Sequence, residues 1–266
     1  MSINRISCFL VVLLLLGCSH SGKNRSDRQP PLIRVMTYNI HHGEGLDGRV
    51  DLPRIAELIK AQRADLVALQ EVDKGVARTD RRDLPAELAA LTGMTAVFSN
   101  NFHFQGGEYG NAVLTRFPLK RWANHHYQML RAGEQRGVLQ LVLDVHGREM
   151  VFLNTHIDYR GDDSERWLNV GEIEKIVADA KRPVILCGDF NDVPSNRVYR
   201  RLSETFNDAW AQAGIGDGFT FPVRTPTKRI DYIWLSKGNW CEPLRAWIPH
   251  SEASDHLPLV VELKLN

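Results

Sequence analysis

Short apolar runs that end in polar side chains recur along the chain after Leu32. The clearest is VILCGDFN, Val184 to Asn191, which lies between Pro183 and a turn at residues 192–195. A run this short and rich in β-branched residues predicts a strand buried on both faces. Asp189 and Asn191, spaced by two, project to the same side of an extended chain. They either converge on a site at the strand end or only cap the following turn.

The same pattern over the rest of the chain predicts an α/β fold rich in strands. Strands are predicted at residues 33–40, 65–71, 95–99, 111–115, 122–127, 138–145, 150–156, 229–235, 243–248 and 259–263. Helices are predicted from residue 52, after Asp51 as N-cap, at 84–91, at 196–202, and from Asp162 or Asp163 with Trp167, Val170, Ile173 and Val177 on one face. Many strands with helices at intervals predict two sheets packed face to face with helices outside.

Several predicted strand ends carry side chains that are costly to bury alone. They are Asn39, Glu71, His156, Asp189 with Asn191, Asp231, and the pair Asp255 and His256. Burial of such a group without a partner costs about 2–7 kcal/mol. We therefore expect these ends to share one edge of the sandwich, where a bound metal would satisfy several of them together.

The first residues resemble the export signal of a bacterial lipoprotein. Arg5 precedes an apolar run, Phe9 to Leu16, that is shorter than the roughly 20 residues of a membrane span. The sequence LLGC at residues 15–18 is similar to a lipobox, in which the signal is cut before a cysteine that is then lipidated. The alternatives are an ordinary secretory signal cut nearby and an uncleaved anchor.

The lipobox resemblance sets the expected domain organisation and location. It implies a signal peptide at residues 1–17 and a membrane partner bound through lipid on Cys18. Ser19, in place of aspartate, implies the outer membrane of the cell envelope. Residues 18–31 are predicted to be a flexible tether and residues 32–266 a single domain. The sequence indicates no protein partner.

The charge balance argues against avid, non-specific binding to duplex DNA. The chain has 33 basic and 32 acidic residues, and removal of the signal takes away only Arg5, which leaves 32 of each. Nucleic-acid binders usually carry a clear basic excess. Arg78, Arg81 and Arg82 could still form a local basic patch, or lie on a solvated face. Of the cysteines, Cys187 is predicted to be a buried thiol, and a bridge to Cys241 stays open.

Two motifs establish a resemblance to a known superfamily. GDFND at residues 188–192 and SDHLPL at residues 254–259 resemble motifs of the endonuclease/exonuclease/phosphatase superfamily, and the likeness extends over nearly all of residues 32–265. This superfamily includes pancreatic-type deoxyribonucleases, apurinic endonucleases, neutral sphingomyelinases, inositol polyphosphate 5-phosphatases and deadenylases. The resemblance implies a four-layer α/β/β/α sandwich of two mixed β-sheets flanked by helices.

The resemblance also implies a metal site. Glu71 matches the principal metal carboxylate, Asn39 lies beside it, and Asp255 is expected to be a second metal contact. Oxygen ligands suit a hard cation, so Mg²⁺ or Mn²⁺ is the expected cofactor. His41 and His42 follow two and three residues after Asn39 and could line the pocket.

The remaining site residues match catalytic positions of the superfamily. Asp189 and Asn191 match the pair that orients or deprotonates the attacking water and holds a phosphate oxygen, and His256 pairs with a carboxylate, here Asp231. Whether Asp189 or His256 takes the proton stays open. His156 matches a contact to the scissile phosphate. Further phosphate-side groups are Tyr109, Asn111 and Arg136.

Together these residues predict a Mg²⁺-dependent phosphoester hydrolase at the envelope. The expected substrate is a phosphodiester or phosphomonoester, such as a lipid head group or a small molecule. Signatures of inositol phosphatases are missing, because RIDYI at residues 229–233 replaces their Pro-Trp-containing variant. The alternatives are a secreted or periplasmic nuclease acting on nucleic acid, and a catalytically inactive binding lipoprotein.

Overall fold

The computed structural model describes residues 30–266. The predicted signal peptide, Cys18 and all of the tether except Pro30 and Pro31 lie outside the described residues, so they stay predictions. Within residues 30–266, no helix is long and apolar enough to cross a membrane.

The described chain forms twelve strands and five α-helices. In order they are β1 (Leu32–Asn39), α1 (Leu52–Gln62), β2 (Leu66–Lys74), α2 (Leu84–Thr92), β3 (Thr95–Phe104), β4 (Gly107–Thr115), β5 (Leu119–His126), β6 (Gly137–Val145), β7 (Arg148–His156), α3 (Ser164–Ala180), β8 (Val184–Asp189), α4 (Arg197–Thr205), β9 (Phe206–Asp208), α5 (Ala209–Ala213), β10 (Asp231–Ser236), β11 (Cys241–Trp247) and β12 (Leu259–Leu265). Asp51 caps α1 as predicted, since its carboxylate accepts a hydrogen bond from the Arg54 amide at 3.1 Å.

The strands form two six-stranded mixed sheets. Their orders are β11-β12-β1-β2-β4-β3 and β5-β6-β7-β8-β10-β9. Each sheet has one parallel pair at its centre, β1 with β2 and β7 with β8, and the neighbours of each pair are antiparallel. The two sheets therefore share one plan, and both central pairs direct their carboxyl ends to a sheet edge.

Three apolar clusters define four layers. The middle cluster lies between the sheets and contains alternate residues of central strands, such as Val35 and Ile185. The intervening residues face outward: Met36 packs with α1 and α2, and Leu186 packs with α3 and α4. Period-two alternation thus gives each strand two buried faces, which confirms the predicted α/β/β/α sandwich.

Two side-chain details follow from the tertiary structure. Val170 and Ile173 of α3 are buried, whereas Trp167, predicted on the same face of the helix, is 37% exposed. The guanidinium groups of Arg197 and Arg201 lie over the Trp167 ring at 4.8 and 4.4 Å, which explains how an indole is kept at the surface. Cys187 is a buried free thiol, and Cys241 is also free, so the bridge left open is not formed.

Candidate active site

Strand register brings three polar side chains of the second sheet side by side. His156 ends β7 and pairs with Asp189, which ends the parallel strand β8; Asp231 begins the antiparallel strand β10 and also pairs with Asp189. Gly188 permits this close approach, because a Cβ there would lie 2.1 Å from the carbonyl oxygen of Thr155. The three residues therefore occupy one sheet edge, as the sequence predicted.

The first sheet supplies Asn39 and Glu71 from neighbouring strands. Asn39 ends β1 and pairs with Gln70, and the pairing of β2 with β4 shifts register between Leu69 and Val72. Glu71 lies at this bulge in the left-handed region, with φ of 58°. A non-glycine residue adopts this conformation uncommonly, and bulges often redirect a side chain beside an active site. Here the bulge places the Glu71 carboxylate beside Asn39.

Asn39 joins the two sheets at the site. Its amide nitrogen donates to Glu71 Oε1 at 2.9 Å and to Asp189 Oδ2 at 3.1 Å. Its oxygen accepts from the His41 amide at 3.1 Å. In this arrangement Asn39 positions two carboxylates through its nitrogen, whereas a ligand role would use its oxygen; that role stays a prediction.

His256 and Asp231 form a buried dyad. His256 Nδ1 lies 2.9 Å from Asp231 Oδ2, and its Nε2 lies 3.7 Å from Asp189 Oδ2. Burial lowers the pKa of His256, but the charges of Asp231 and Asp189 outweigh burial and raise this pKa to about 10. The imidazole is therefore a cation at neutral pH, so it is poorly suited to accept a proton from water.

Asp189 has the properties of a general base. It is 1% exposed, and burial together with the neighbouring charge of Asp231 raises its pKa to about 7, against the opposing effect of His256. A base is most effective when its pKa is near the working pH. Of the two candidates left open by the sequence, the structure therefore favours Asp189 as the proton acceptor.

His156 and Asn191 also lie beside Asp189, with His156 Nε2 3.5 Å from Asp189 Oδ2. The Asn191 amide nitrogen is 3.1 Å from His156 Nε2, and the backbone amide of Asn191 donates to Asp189 Oδ1 at 2.9 Å. Burial, then the charges of Arg136 and His256, lower the pKa of His156 well below its usual value. His156 is thus neutral, which fits its Nε2 as the acceptor of the Asn191 amide hydrogen bond; its contact to phosphate stays a prediction.

Tyr109 and Arg136 lie in a charged cluster that includes two residues the sequence reasoning did not assign to the site. Arg136 is paired with Glu134 at 3.1 Å, and the Arg78 guanidinium lies 5.4 Å from the Tyr109 ring centre. Burial, then Glu71 and Glu134, raise the pKa of Tyr109 well above its usual value, so it stays a neutral phenol. Glu134, two residues before Arg136 in a loop between strands, gave no motif by which it could be found.

The Asn111 side chain makes its hydrogen bonds to the backbone and not to the candidate catalytic groups. Its amide nitrogen donates to the carbonyl oxygens of Gly137 and Asn154, at 3.2 and 3.4 Å. Gln70 makes a similar link, because it donates to Asn154 Oδ1 at 2.7 Å. These buried amides tie the two sheets together under the site, and the phosphate-side role of Asn111 stays a prediction.

Glu71 lies in one of two clusters of possible metal ligands among residues 30–266; the other is Asp189 with Asp231 and His256. One carboxylate oxygen of Glu71 and one ring nitrogen from each of His41 and His42 all lie within 4.8 Å of one another. This donor set fits a divalent cation. Asp255 is not part of that cluster: its carboxylate accepts from Ser254 at 3.3 Å, so a second metal contact there stays a prediction.

An open depression of about 440 Å³ adjoins the catalytic groups. His256 and Asn191 contribute to its wall, together with the aromatic rings of Tyr159 and Phe221 and the ammonium group of Lys228. Aromatic and cationic groups beside a phosphoryl site suit the remainder of an anionic substrate.

The comparisons identify the family. The endonuclease/exonuclease/phosphatase family profile matches residues 36–256, so the chain belongs to this family, whose members are phosphoester hydrolases. The uncharacterized protein YbhP of Escherichia coli K12 is 28% identical over 256 residues, which cover 87% of this chain and 96% of YbhP.

Solved structures agree with this assignment. The human nocturnin catalytic domain with bound sulfate is 25% identical, has a TM-score of 0.71, and is matched over 91% of this chain and 100% of that domain. An endonuclease/exonuclease/phosphatase family protein of Bacteroides thetaiotaomicron has a TM-score of 0.77 at 19% identity, over 90% of this chain and 100% of that protein. The second likeness shows the fold alone.

Proposed function

We propose that this protein is a metal-dependent phosphoester hydrolase, held at the cell envelope by lipid on Cys18. The observation that carries the proposal is the buried set of His156, Asp189, Asp231 and His256, in which one carboxylate has a pKa near 7 beside an imidazolium. A merely structural cluster has no need of a carboxylate that is costly to ionise.

Each of these residues has a separate role in the hydrolysis. Asp189 takes a proton from the attacking water. When substrate binds, the Asn191 amide and neutral His156, in the tautomer with its proton on Nε2, replace their mutual contact with hydrogen bonds donated to a phosphoryl oxygen. Protonated His256, held by Asp231, places a positive charge beside the developing negative charge on the phosphoryl group. Glu71 would hold the divalent cation, which when bound supplies further positive charge at those oxygens.

A small phosphoester, or the head group of a lipid, is the proposed substrate. Two arginines around the site are paired with carboxylates: Arg78 with Asp73 at 2.8 Å and Arg160 with Asp158 at 2.7 Å. Arg82 of the candidate basic patch is likewise paired with Glu87. Such pairing weakens the field that a long polyanion would need, which supports a compact substrate over duplex DNA.

A nuclease is the second candidate, because a 5′-tyrosyl-DNA phosphodiesterase of Caenorhabditis elegans is among the relatives. The test incubates the purified protein and Mg²⁺ with supercoiled plasmid and, separately, with bis(p-nitrophenyl) phosphate and p-nitrophenyl phosphate. Asp189→Ala beside the wild type excludes contaminating enzymes, and Asp179→Asn, on the exposed face of α3, is the matched control. Hydrolysis of the small esters without nicking supports the proposal, nicking by wild type alone supports the nuclease, and inactivity on all three contradicts both.

A further inference from the structure

We propose that His41 and His42 complete, with Glu71, a mixed nitrogen and oxygen site that prefers a divalent transition metal over Mg²⁺. The inference rests on the proposed function for the role of Glu71 as a cation ligand. It goes further by assigning two ligands and a metal class.

The distances suit a single ion. The three ligand atoms lie within 4.8 Å of one another. Ligands about 2.1 Å from a tetrahedrally coordinated ion are about 3.4 Å apart. The widest separation in the set therefore has to shorten by up to about 1.4 Å for the three atoms to close around one metal.

A buried ring nitrogen of His42 also supports a metal ligand role for this residue. It is 7% exposed, and its Nδ1 is buried without a hydrogen-bond partner, while its Nε2 lies 3.4 Å from Glu44 Oε2. An imidazole that binds metal through one nitrogen usually donates the other N–H to a carboxylate or carbonyl group. The partnerless Nδ1 is then the nitrogen left for the metal, and Glu44 is the group that orients the ring.

The backbone is arranged around this cluster. His41 and His42 lie in a 3-10 turn, His41–Gly43, directly after β1, and have φ of 45° and 44°. Glu71 also has a positive φ, of 58°. Left-handed residues other than glycine are uncommon, and such residues concentrate at functional sites. Three of them here supply the three candidate ligands.

The chemistry of the donors selects the metal. Imidazole nitrogen suits zinc, cobalt, iron and related ions, whereas Mg²⁺ prefers oxygen donors and keeps much of its water. Two imidazoles and one carboxylate are the protein ligands of many catalytic zinc sites. We therefore expect Zn²⁺ or Co²⁺ to bind more tightly than Mg²⁺, with a free coordination position for water or a phosphoryl oxygen.

The test titrates Co²⁺ into the purified, chelator-treated protein and follows the visible absorption bands of the bound ion. The variants are His41→Asn and His42→Asn, because asparagine tolerates a positive φ. His146→Asn is the matched control, since His146 is exposed, has φ of 54° and lies in the turn between β6 and β7. Both test variants should weaken Co²⁺ binding by at least about tenfold, by analogy with the 10–100-fold effect of groups around metal ligands. The control should bind as the wild type does.

Wild-type Co²⁺ affinity in both test variants would overturn the inference. A second measurement needs only the wild type and therefore applies even if the variants do not fold. Electron spin echo spectra of the Mn²⁺-loaded wild type should show coupling between Mn²⁺ and imidazole nitrogen. Absence of this coupling would also overturn the inference. Hydrolysis is measured in parallel. If the wild type hydrolyses phosphoesters but the histidine variants bind Co²⁺ with unchanged affinity, the histidine site is wrong and the proposed function stands. If Co²⁺ binding depends on the histidines but no phosphoester is hydrolysed, the metal site stands and the proposed function is wrong.

Discussion

Replacing Asp189 by asparagine should change the pH dependence of stability in a calculable way. The folded protein raises the pKa of this carboxyl from 3.8 to about 7, chiefly through burial. Each unit corresponds to about 1.4 kcal/mol. The ionised carboxylate therefore destabilises the folded state by about 4 kcal/mol at alkaline pH, and the asparagine variant lacks this cost.

The direction follows from the two protonation equilibria. Below the unfolded pKa of 3.8, Asp189 is protonated in both states and contributes no pH dependence. As the pH rises further, the unfolded chain releases the proton while the folded chain keeps it, so wild-type stability falls until about pH 7 and then levels. From about pH 5 to about pH 8, the variant should gain about 2–3 kcal/mol relative to wild type.

Urea unfolding of both proteins in chelator, at several pH values, measures this difference. Effects of the substitution on packing are the same at each pH and cancel. The chelator keeps metal from competing for the proton. In the wild type, His256 stays charged throughout this pH range, since its pKa is about 10. Asp179→Asn should show no such trend. A stability difference between Asp189→Asn and wild type that is constant with pH would refute the reasoning.

Three further predictions concern turnover and location. His256→Ala should lower kcat by about 100- to 1,000-fold, since it removes a charge-stabilising group, with an unchanged circular dichroism spectrum; near-normal turnover contradicts its role. The rate constant kcat/KM should rise with pH to about 7, as Asp189 loses its proton, and fall only near pH 10, as His256 loses its own; a profile without the lower inflection argues against Asp189 as base. Cys18→Ser should move the protein from the membrane pellet to the soluble fraction, and continued sedimentation with membranes contradicts the lipobox.

The sequence predicted the layers and the strand-end residues well, because both follow from local patterns. Period-two burial and short apolar runs mark β1, β2 and β8; β1 and β8 end at Asn39 and Asp189, whereas Glu71 lies at a bulge inside β2. The meeting of His156, Asp189 and Asp231 follows once the strands are parallel or antiparallel neighbours. These features need no knowledge of side-chain contacts.

Other features depend on tertiary contacts that no local pattern encodes. Trp167 has helical spacing with Val170, yet two arginines from α4 cover it at the surface. Glu134 joins the site through its ion pair with Arg136 and its charge beside Tyr109. The roles of Asp189 and His256 depend on burial and mutual charge, which are properties of the folded site.

The central claim is that a cation on Glu71 and a base at Asp189 hydrolyse a phosphoester together. The most direct measurement is the rate of bis(p-nitrophenyl) phosphate hydrolysis against divalent cation concentration, for wild type, Glu71→Gln, Asp189→Asn and the control Glu149→Gln, whose carboxylate pairs with Arg182 at the other end of β7. The account predicts cation-dependent turnover in wild type and control, a much higher cation requirement in Glu71→Gln, and loss of turnover at every cation concentration in Asp189→Asn. Cation-independent hydrolysis, or equal rates in all four proteins, would contradict it.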